Sequence, residues 1–218
     1  MDAEAFLAEL DAEVGAALAR IGEKSAQGEP GPEVTVKSLL QLALKNEIEA
    51  SEEAARWMAT ERDVRVKLSL ARQCGDEAKH YKLIEDRLRA LGVDTTAVDP
   101  LAQGFSPMFE YLQSLTTTVE RIAAGQFTRE AIAKVRNEVF VEYCELQGDP
   151  ETAKLYREVI SPDEHHHHEL GRKLLARLAT DDASQAKARA AARRTLELAE
   201  ELQEAMRIKR GIARAPGC

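Results

Sequence analysis

The pattern Asp-Glu-x-x-His occurs twice in this chain. It reads Asp76-Glu77-Ala78-Lys79-His80 and, 87 positions later, Asp163-Glu164-His165-His166-His167. All 5 histidines lie in or beside the two copies. Glu and His at i and i+3 share one face of a helix, so each copy can offer a carboxylate and an imidazole to one metal ion. Two copies on facing helices can build a site for two metals. A further Glu from each of two neighbouring helices brings the set to four carboxylates and two imidazoles. With two divalent metals that set is neutral, so it can sit inside a helical bundle without an uncompensated charge.

The elements that must position these residues follow from helical periodicity. Residues 2–24 carry the stripe Phe6/Leu7, Leu10, Val14, Ala17/Leu18, Ile21, and Gly28-Glu29-Pro30-Gly31-Pro32 then breaks the chain. A second helix spans about 34–59. Glu47 sits at the centre of its apolar face, with Glu49, Glu52 and Glu53 expected to point away. A third, about 61–91, has Glu77 central and His80 at the edge of its stripe. The short connection near Thr60–Asp63 folds the two into an antiparallel hairpin. Residues 92–106 are a crossover. A helical pattern runs from Pro107 to Gln147, with a kink or break expected at Gly125-Gln126. Gly148-Asp149-Pro150 is a turn. The next helix, about 150–178, contains Pro162, which predicts a bend one turn before Glu164 or a restart at Ser161. A last amphipathic helix runs from Asp181 to about Arg210 and ends in a loose tail, Ala213–Cys218.

Residues symmetric about a hairpin turn are level. Glu47 and Glu77 straddle the first turn near Arg62, so their carboxylates should face each other. In the second hairpin the level partner of Glu164 falls near residue 133. Glu130 and Glu138 each miss it by about one helical turn. Glu130 continues the stripe of Ala123, Phe127, Ala133 and Val141 and is favoured; Glu138 remains the alternative. A ligating His usually donates its other N–H to a carboxylate. Asp76 is therefore expected to hold His167 across the bundle, and Asp163 to hold His80. Bland readings stand beside these. Ser161-Pro162-Asp163-Glu164 is also a good capping box, in which Glu164 only caps a helix. Within His165–His168 only His167 has the inward phase. Cys74, Tyr81, Tyr143, Tyr156 and Trp57 read first as core packing.

Composition narrows the class. The chain has 218 residues, 44% of them hydrophobic and 31% charged, with a net charge of −8. That favours one all-helical domain and, with no long Lys/Arg block, excludes nucleic acid as a partner. No apolar run approaches a membrane span, and the acidic N-terminus lacks the pattern of a signal peptide. Cys74, Cys144 and Cys218 have no metal-finger spacing and read as reduced thiols of a cytoplasmic protein.

Glu47, Asp76-Glu77-x-x-His80, Glu130 and Asp163-Glu164-x-x-His167 together, over roughly residues 34–178, resemble the ferritin-like superfamily of di-iron carboxylate proteins. That superfamily includes ferritins, bacterioferritins, rubrerythrins, manganese catalases, ribonucleotide reductase small subunits and bacterial multicomponent monooxygenases. The spacings and the Asp before each ligand Glu look most like the oxygen-activating members. Those often carry Arg before the ligand His, where this chain has Lys79 and His166.

The resemblance implies an all-α, ferritin-like four-helix bundle with extra N- and C-terminal helices. Its parts would be 1–33 (helix and Gly/Pro linker), 34–179 (di-metal domain) and 180–218 (C-terminal helix and tail). It implies two Fe ions, with Mn as the alternative, held by Glu47, Glu77, His80, Glu130 (or Glu138), Glu164 and His167. The implied activity is dioxygen activation to oxidise a small-molecule substrate. Ferroxidase and iron storage, or peroxide detoxification, are the alternatives. No flavin, nicotinamide or iron–sulfur motif is visible, so electrons would come from an external donor protein; a homodimer is left open.

Overall fold

The computed structural model describes residues 1–27, 31 and 33–217. Gly28, Glu29, Pro30 and Pro32 of the expected break, and Cys218, lie outside the described residues. The fold is all-helical: 82% of the chain is helix, and there is no strand among the described residues. Helix α1 is Ala3–Gln27, α2 Val36–Thr60 and α3 Val64–Ala90. After a 3-10 turn at Thr95–Ala97 comes the short α4, Pro107–Ser114. Helix α5 runs unbroken through Thr118–Ile122, a π segment Ala123–Arg129, and Glu130–Leu146. Helix α6 has the same construction, Pro150–Leu155, a π segment Tyr156–Ile160, and Ser161–Leu178. Helix α7 is Asp182–Arg210.

Local chemistry explains most of these boundaries. Thr35 caps α2 through a capping box with Ser38, and Asp63 caps α3 by accepting from the N–H groups of Arg65 and Val66. Between them Glu61 accepts from the backbone of Arg62 and Asp63, which tightens the α2–α3 turn. The expected break in the 107–147 helix lies earlier than Gly125-Gln126. It falls at Leu115–Thr117, where Thr117 forms a capping box with Glu120 and starts a new helix. At Gly125 the helix instead widens: the N–H of Glu130 reaches back five residues to the Gly125 carbonyl.

Pro162 acts in the same way. It has no N–H to give the carbonyl four residues before it. The Ser161 N–H bonds to Tyr156 O five residues back, and the π turn absorbs the proline without ending the helix. Ser161 has helical torsions and makes no side-chain cap. The capping-box reading of Ser161–Glu164 is therefore overturned.

Helices α2 and α3 pack as the expected hairpin, and α5 packs against α6 and α7. Helix α1 lies along α5, α6 and α7. Its Phe6, Leu7, Leu10, Val14 and Ile21 share one apolar core with Trp57, Leu70, Phe127 and Leu175. A second core gathers Leu40, Leu44, Ile84, Leu88, Phe140, Tyr156 and Ile160. Along α2, Glu47 lies between Leu44 of the second core and Ala54 of the first. Along α3, Glu77 and His80 lie between Leu70 and Ile84. Along α6, Glu164 and His167 lie between Ile160 and Leu174. The polar residues thus form a layer between two dry ones. Helices α5 and α6 approach closely there. A Cβ on Gly171 would stand 2.7 Å from the backbone of Gln126 and Phe127, so only glycine fits.

Two further expectations need correction. Glu49 and Glu53 do not point to solvent; both are buried. Glu49 accepts from the N–H and hydroxyl of Ser106 and pairs with Lys45 at 3.1 Å. Glu53 pairs with the buried Arg129 at 2.9 Å. The tail is not loose. Gly211 turns the chain at φ 65°, and Ile212, Ala213, Pro216 and Gly217 are buried. Asn46 Nδ2 donates to Pro216 O at 3.0 Å, and the Gly217 N–H donates to Asn137 Oδ1 at 2.9 Å.

Candidate metal centre

Four helices deliver the expected residues to one buried point. Helix α2 brings Glu47, α3 brings Glu77 and His80, α5 brings Glu130, and α6 brings Glu164 and His167. None is more than 3% exposed. Their ligand atoms fall into two groups, each with all atoms within 4.8 Å of one another. One group is Glu47, Glu77, His80 and Glu164; the other is Glu77, Glu130, Glu164 and His167. Glu77 and Glu164 belong to both.

The distances show how they are shared. His80 Nδ1 lies 3.2 Å from Glu77 Oε2, 3.3 Å from Glu47 Oε2 and 3.9 Å from Glu164 Oε1. His167 Nδ1 lies 3.5 Å from Glu77 Oε1, 3.6 Å from Glu130 Oε2 and 3.8 Å from Glu164 Oε2. Each shared carboxylate thus turns one oxygen towards each imidazole. Ligand atoms spaced about 3 Å apart are the edges of an octahedron with metal–ligand bonds of about 2.1 Å.

Both imidazoles are oriented from outside the cluster. His80 Nε2 is 3.1 Å from Asp163 Oδ2, and His167 Nε2 is 3.1 Å from Asp76 Oδ2. A carboxylate can only accept here, so each Nε2 carries a proton and each Nδ1 faces the cluster, where its lone pair becomes available once the ring is neutral. Lys79 holds Asp163 at 2.8 Å, and Arg72 holds Asp76 at 3.2 Å. Both cations come from α3, so the pairing of the two motifs stops at the aspartates. Asp76→Asn and Asp163→Asn should each weaken binding of the metal nearest the imidazole they orient by about 10- to 100-fold. A metal titration that separates a tight and a weakened site checks this; two unchanged affinities would refute it.

Glu130 joins the cluster and Glu138 does not; Glu138 is exposed. Glu130 and His167 are equidistant from the turn at Gly148-Asp149. Glu130 is therefore level with His167, one turn beyond Glu164. Gln73 Nε2 donates to Glu130 Oε1 at 2.6 Å and leaves Oε2 facing His167. Gln73 stands four residues before Glu77 on the same helical face, a signal that the sequence carries. Arg129 and Glu53 border the cluster with no such signal. His165 is exposed, and His168 bonds the Phe127 carbonyl at 2.7 Å in the π segment of α5. Cys74 packs against the first core, with its sulfur 3.5 Å from Ser51 Oγ. Tyr81 is half-buried beside the second core, and Tyr143 donates to the Val34 carbonyl. Trp57 and Tyr156 are buried in the two cores.

Without metal, protons hold this cluster together. Burial pushes Glu47 up from 4.5 to about 7, against the pull of His80. Burial, with the charges of Glu77 and Glu130, raises Glu164 well above its ordinary value. Burial would also raise Glu77, but the neighbouring imidazoles of His167 and His80 hold it below the usual carboxylate range. Burial would lower both histidines, yet the surrounding carboxylates raise them: Glu47 and Glu77 act on His80, and Glu130 and Glu164 on His167. His167 Nδ1 and Glu77 Oε1 are buried without a hydrogen-bond partner, both aimed into the cluster. A buried imidazole nitrogen and a buried carboxylate oxygen aimed into the same ring of carboxylates fit a divalent cation that takes the place of the imidazole proton.

Fold and site define an all-helical protein with a buried carboxylate–histidine cluster that could hold metal. No helix among the described residues is long and apolar enough to cross a membrane. No protein-family profile matches the chain, and neither a curated protein nor a solved structure matches it.

Proposed function

We propose that this chain is a ferritin-like di-iron carboxylate oxidoreductase that activates dioxygen to oxidise a small-molecule substrate. The observation that carries this reading is the shared pair, Glu77 and Glu164, each presenting one oxygen to each imidazole. Glu47 and His80 would complete one metal's protein ligands, and Glu130 and His167 the other's. Four carboxylates balance two divalent cations, so the buried layer becomes neutral when both metals bind. Oxygen and imidazole donors suit iron and manganese alike. When bound, a pair of reduced irons supplies electrons to dioxygen.

The protein's own residues do the rest. Asp76 and Asp163 fix the imidazole tautomers, and Gln73 holds one oxygen of Glu130. The apolar cores above and below keep bulk water out of the layer. Electrons would come from an external donor protein, because the chain shows no redox motif of its own.

Anaerobic loading with Fe(II) followed by exposure to air tests the reading. Uptake of two Fe(II) per chain and dioxygen consumption that repeats with each round of chemical reduction are expected. Continued uptake of iron into a mineral would make the protein a store instead. Refusal of Fe(II) would remove the metal centre altogether.

A further inference from the structure

Beside the carboxylate layer lies a second cavity, of about 370 Å³, that the metal chemistry does not use. It is bounded by α2, the end of the crossover and the start of α4, α5, α7 and the returning tail. Its walls are mostly apolar, with Leu42, Phe105, Met108, Leu202, Met206 and Ala213 contributing. Asn46 lines this cavity and also lines the carboxylate pocket beside Glu47. Pro216 faces the cavity, and the next residue, Gly217, faces the carboxylates. The partition between the two spaces is therefore one asparagine and one stretch of tail backbone.

That partition is a built feature. Asn46 holds Pro216 O, and Asn137 holds the Gly217 N–H. Gly217 has φ 70°, which favours glycine, and a Cβ there would lie 3.2 Å from Asn46 Nδ2 and crowd it.

The charged groups at the cavity rim are already engaged. Lys45 bonds Glu49 and the Gly104 carbonyl, and Arg136 donates to the Ala199 carbonyl at 2.9 Å. An ionic ligand would have to break these contacts. A neutral one only displaces water from apolar walls. Small-molecule sites of this size are typically apolar with a few polar groups that fix orientation.

We infer that the cavity binds a neutral, mainly apolar small molecule, with its one polar group at Asn46 and the Pro216–Gly217 wall between it and the carboxylates. This deepens the oxidoreductase reading by naming the substrate class, and rests on that reading only for the oxidation of the bound molecule, not for its binding.

The test uses the full chain and the neutral naphthalene ketone 6-propionyl-2-(dimethylamino)naphthalene, whose emission shifts to the blue in apolar surroundings. Saturable binding of one dye per chain is expected. Leu202→Trp fills the cavity from α7 and should weaken binding at least about tenfold. Ala215→Phe fills it from the tail and serves as a second variant should the first fail to fold, with helix content checked by circular dichroism. Equal affinity in wild type and a folded variant, or no saturable binding by the wild type, overturns the proposal. Fe(II) uptake by the wild type is measured separately. A chain that binds dye but no metal keeps the cavity and loses the metal centre; one that binds two metals and no dye does the reverse.

Discussion

Glu77→Ala is expected to cost the chain both metals, whereas Glu47→Ala and Glu130→Ala should cost one each. The asymmetry follows from geometry. Glu77 supplies an oxygen to each of the two four-residue groups, while Glu47 appears only in the group with His80 and Glu130 only in the group with His167. Removing Glu77 takes one ligand and one negative charge from two sites at once. It also leaves His80 and His167 without the carboxylate that lies within 3.5 Å of both. Breaking a buried ion pair on one side costs about 3–5 kcal/mol, so the alanine variant will be less stable as well. Glu77→Gln keeps the volume and separates the two effects. The amide can still meet one imidazole but brings no charge and cannot bridge two cations. Metal analysis after anaerobic Fe(II) loading should give two equivalents for wild type, about one for the Glu47 and Glu130 variants, and a small fraction of one for both Glu77 variants. Retention of both metals by Glu77→Gln at unchanged affinity would mean that the shared carboxylate is not a bridge.

The heart of this cluster is legible in the sequence because a helix keeps strict phase over three or four residues. The pair Glu77 and His80, the pair Glu164 and His167, and the central position of Glu47 need only that phase. The crossed Asp–His contacts need only the rule that an inward-facing imidazole requires an outer acceptor. What periodicity does not carry is anything set by accumulated rise or by a second neighbour. Glu130 and Glu138 are nearly equivalent on an ideal helix. The structure separates them by aligning Glu130 with His167, after a π turn that starts its segment. All seven residues of that turn, Ala123–Arg129, are buried, so no amphipathic stripe marks it. Glu49 and Glu53 point outward only if α2 has one buried face. Ser106 and Arg129 cover its other sides. The break at Leu115–Thr117 lies in a Thr–Glu capping box, a weaker mark than Gly125-Gln126. The folded-back tail depends on Asn46 and Asn137, residues distant in sequence whose partners are backbone atoms.

Stability should respond to pH in opposite directions with and without metal. In the metal-free protein burial raises Glu47 and Glu53 from 4.5 to about 7, and also raises Glu164 well above its ordinary value. The folded chain therefore holds more protons than the unfolded chain between about pH 4.5 and 7, and stability falls as pH rises through that window. The raised histidines act in the same sense at higher pH. Their contribution is complete below the unfolded value of 6.5 and is lost as pH climbs towards the folded values. Glu77 works against them only below 4.5, where the unfolded chain takes up a proton that the folded carboxylate refuses and stability begins to fall with pH. Metal reverses the balance. It requires ionised carboxylates and neutral imidazoles, so the loaded protein holds fewer protons than the unfolded chain between about pH 4.5 and 6.5, and gains stability as pH rises there. Urea unfolding at about pH 5, 6 and 7 should show the metal-free chain losing on the order of 2 kcal/mol across the range for each carboxylate raised to about 7, while the loaded chain gains. Metal uptake should release protons, measurable in weakly buffered solution, and more of them at about pH 5–6 than at about pH 7, where Glu47 is already half ionised. Parallel slopes for the two forms, or uptake without proton release, would mean that metal does not replace the protons shared by Glu47, Glu164, His80 and His167.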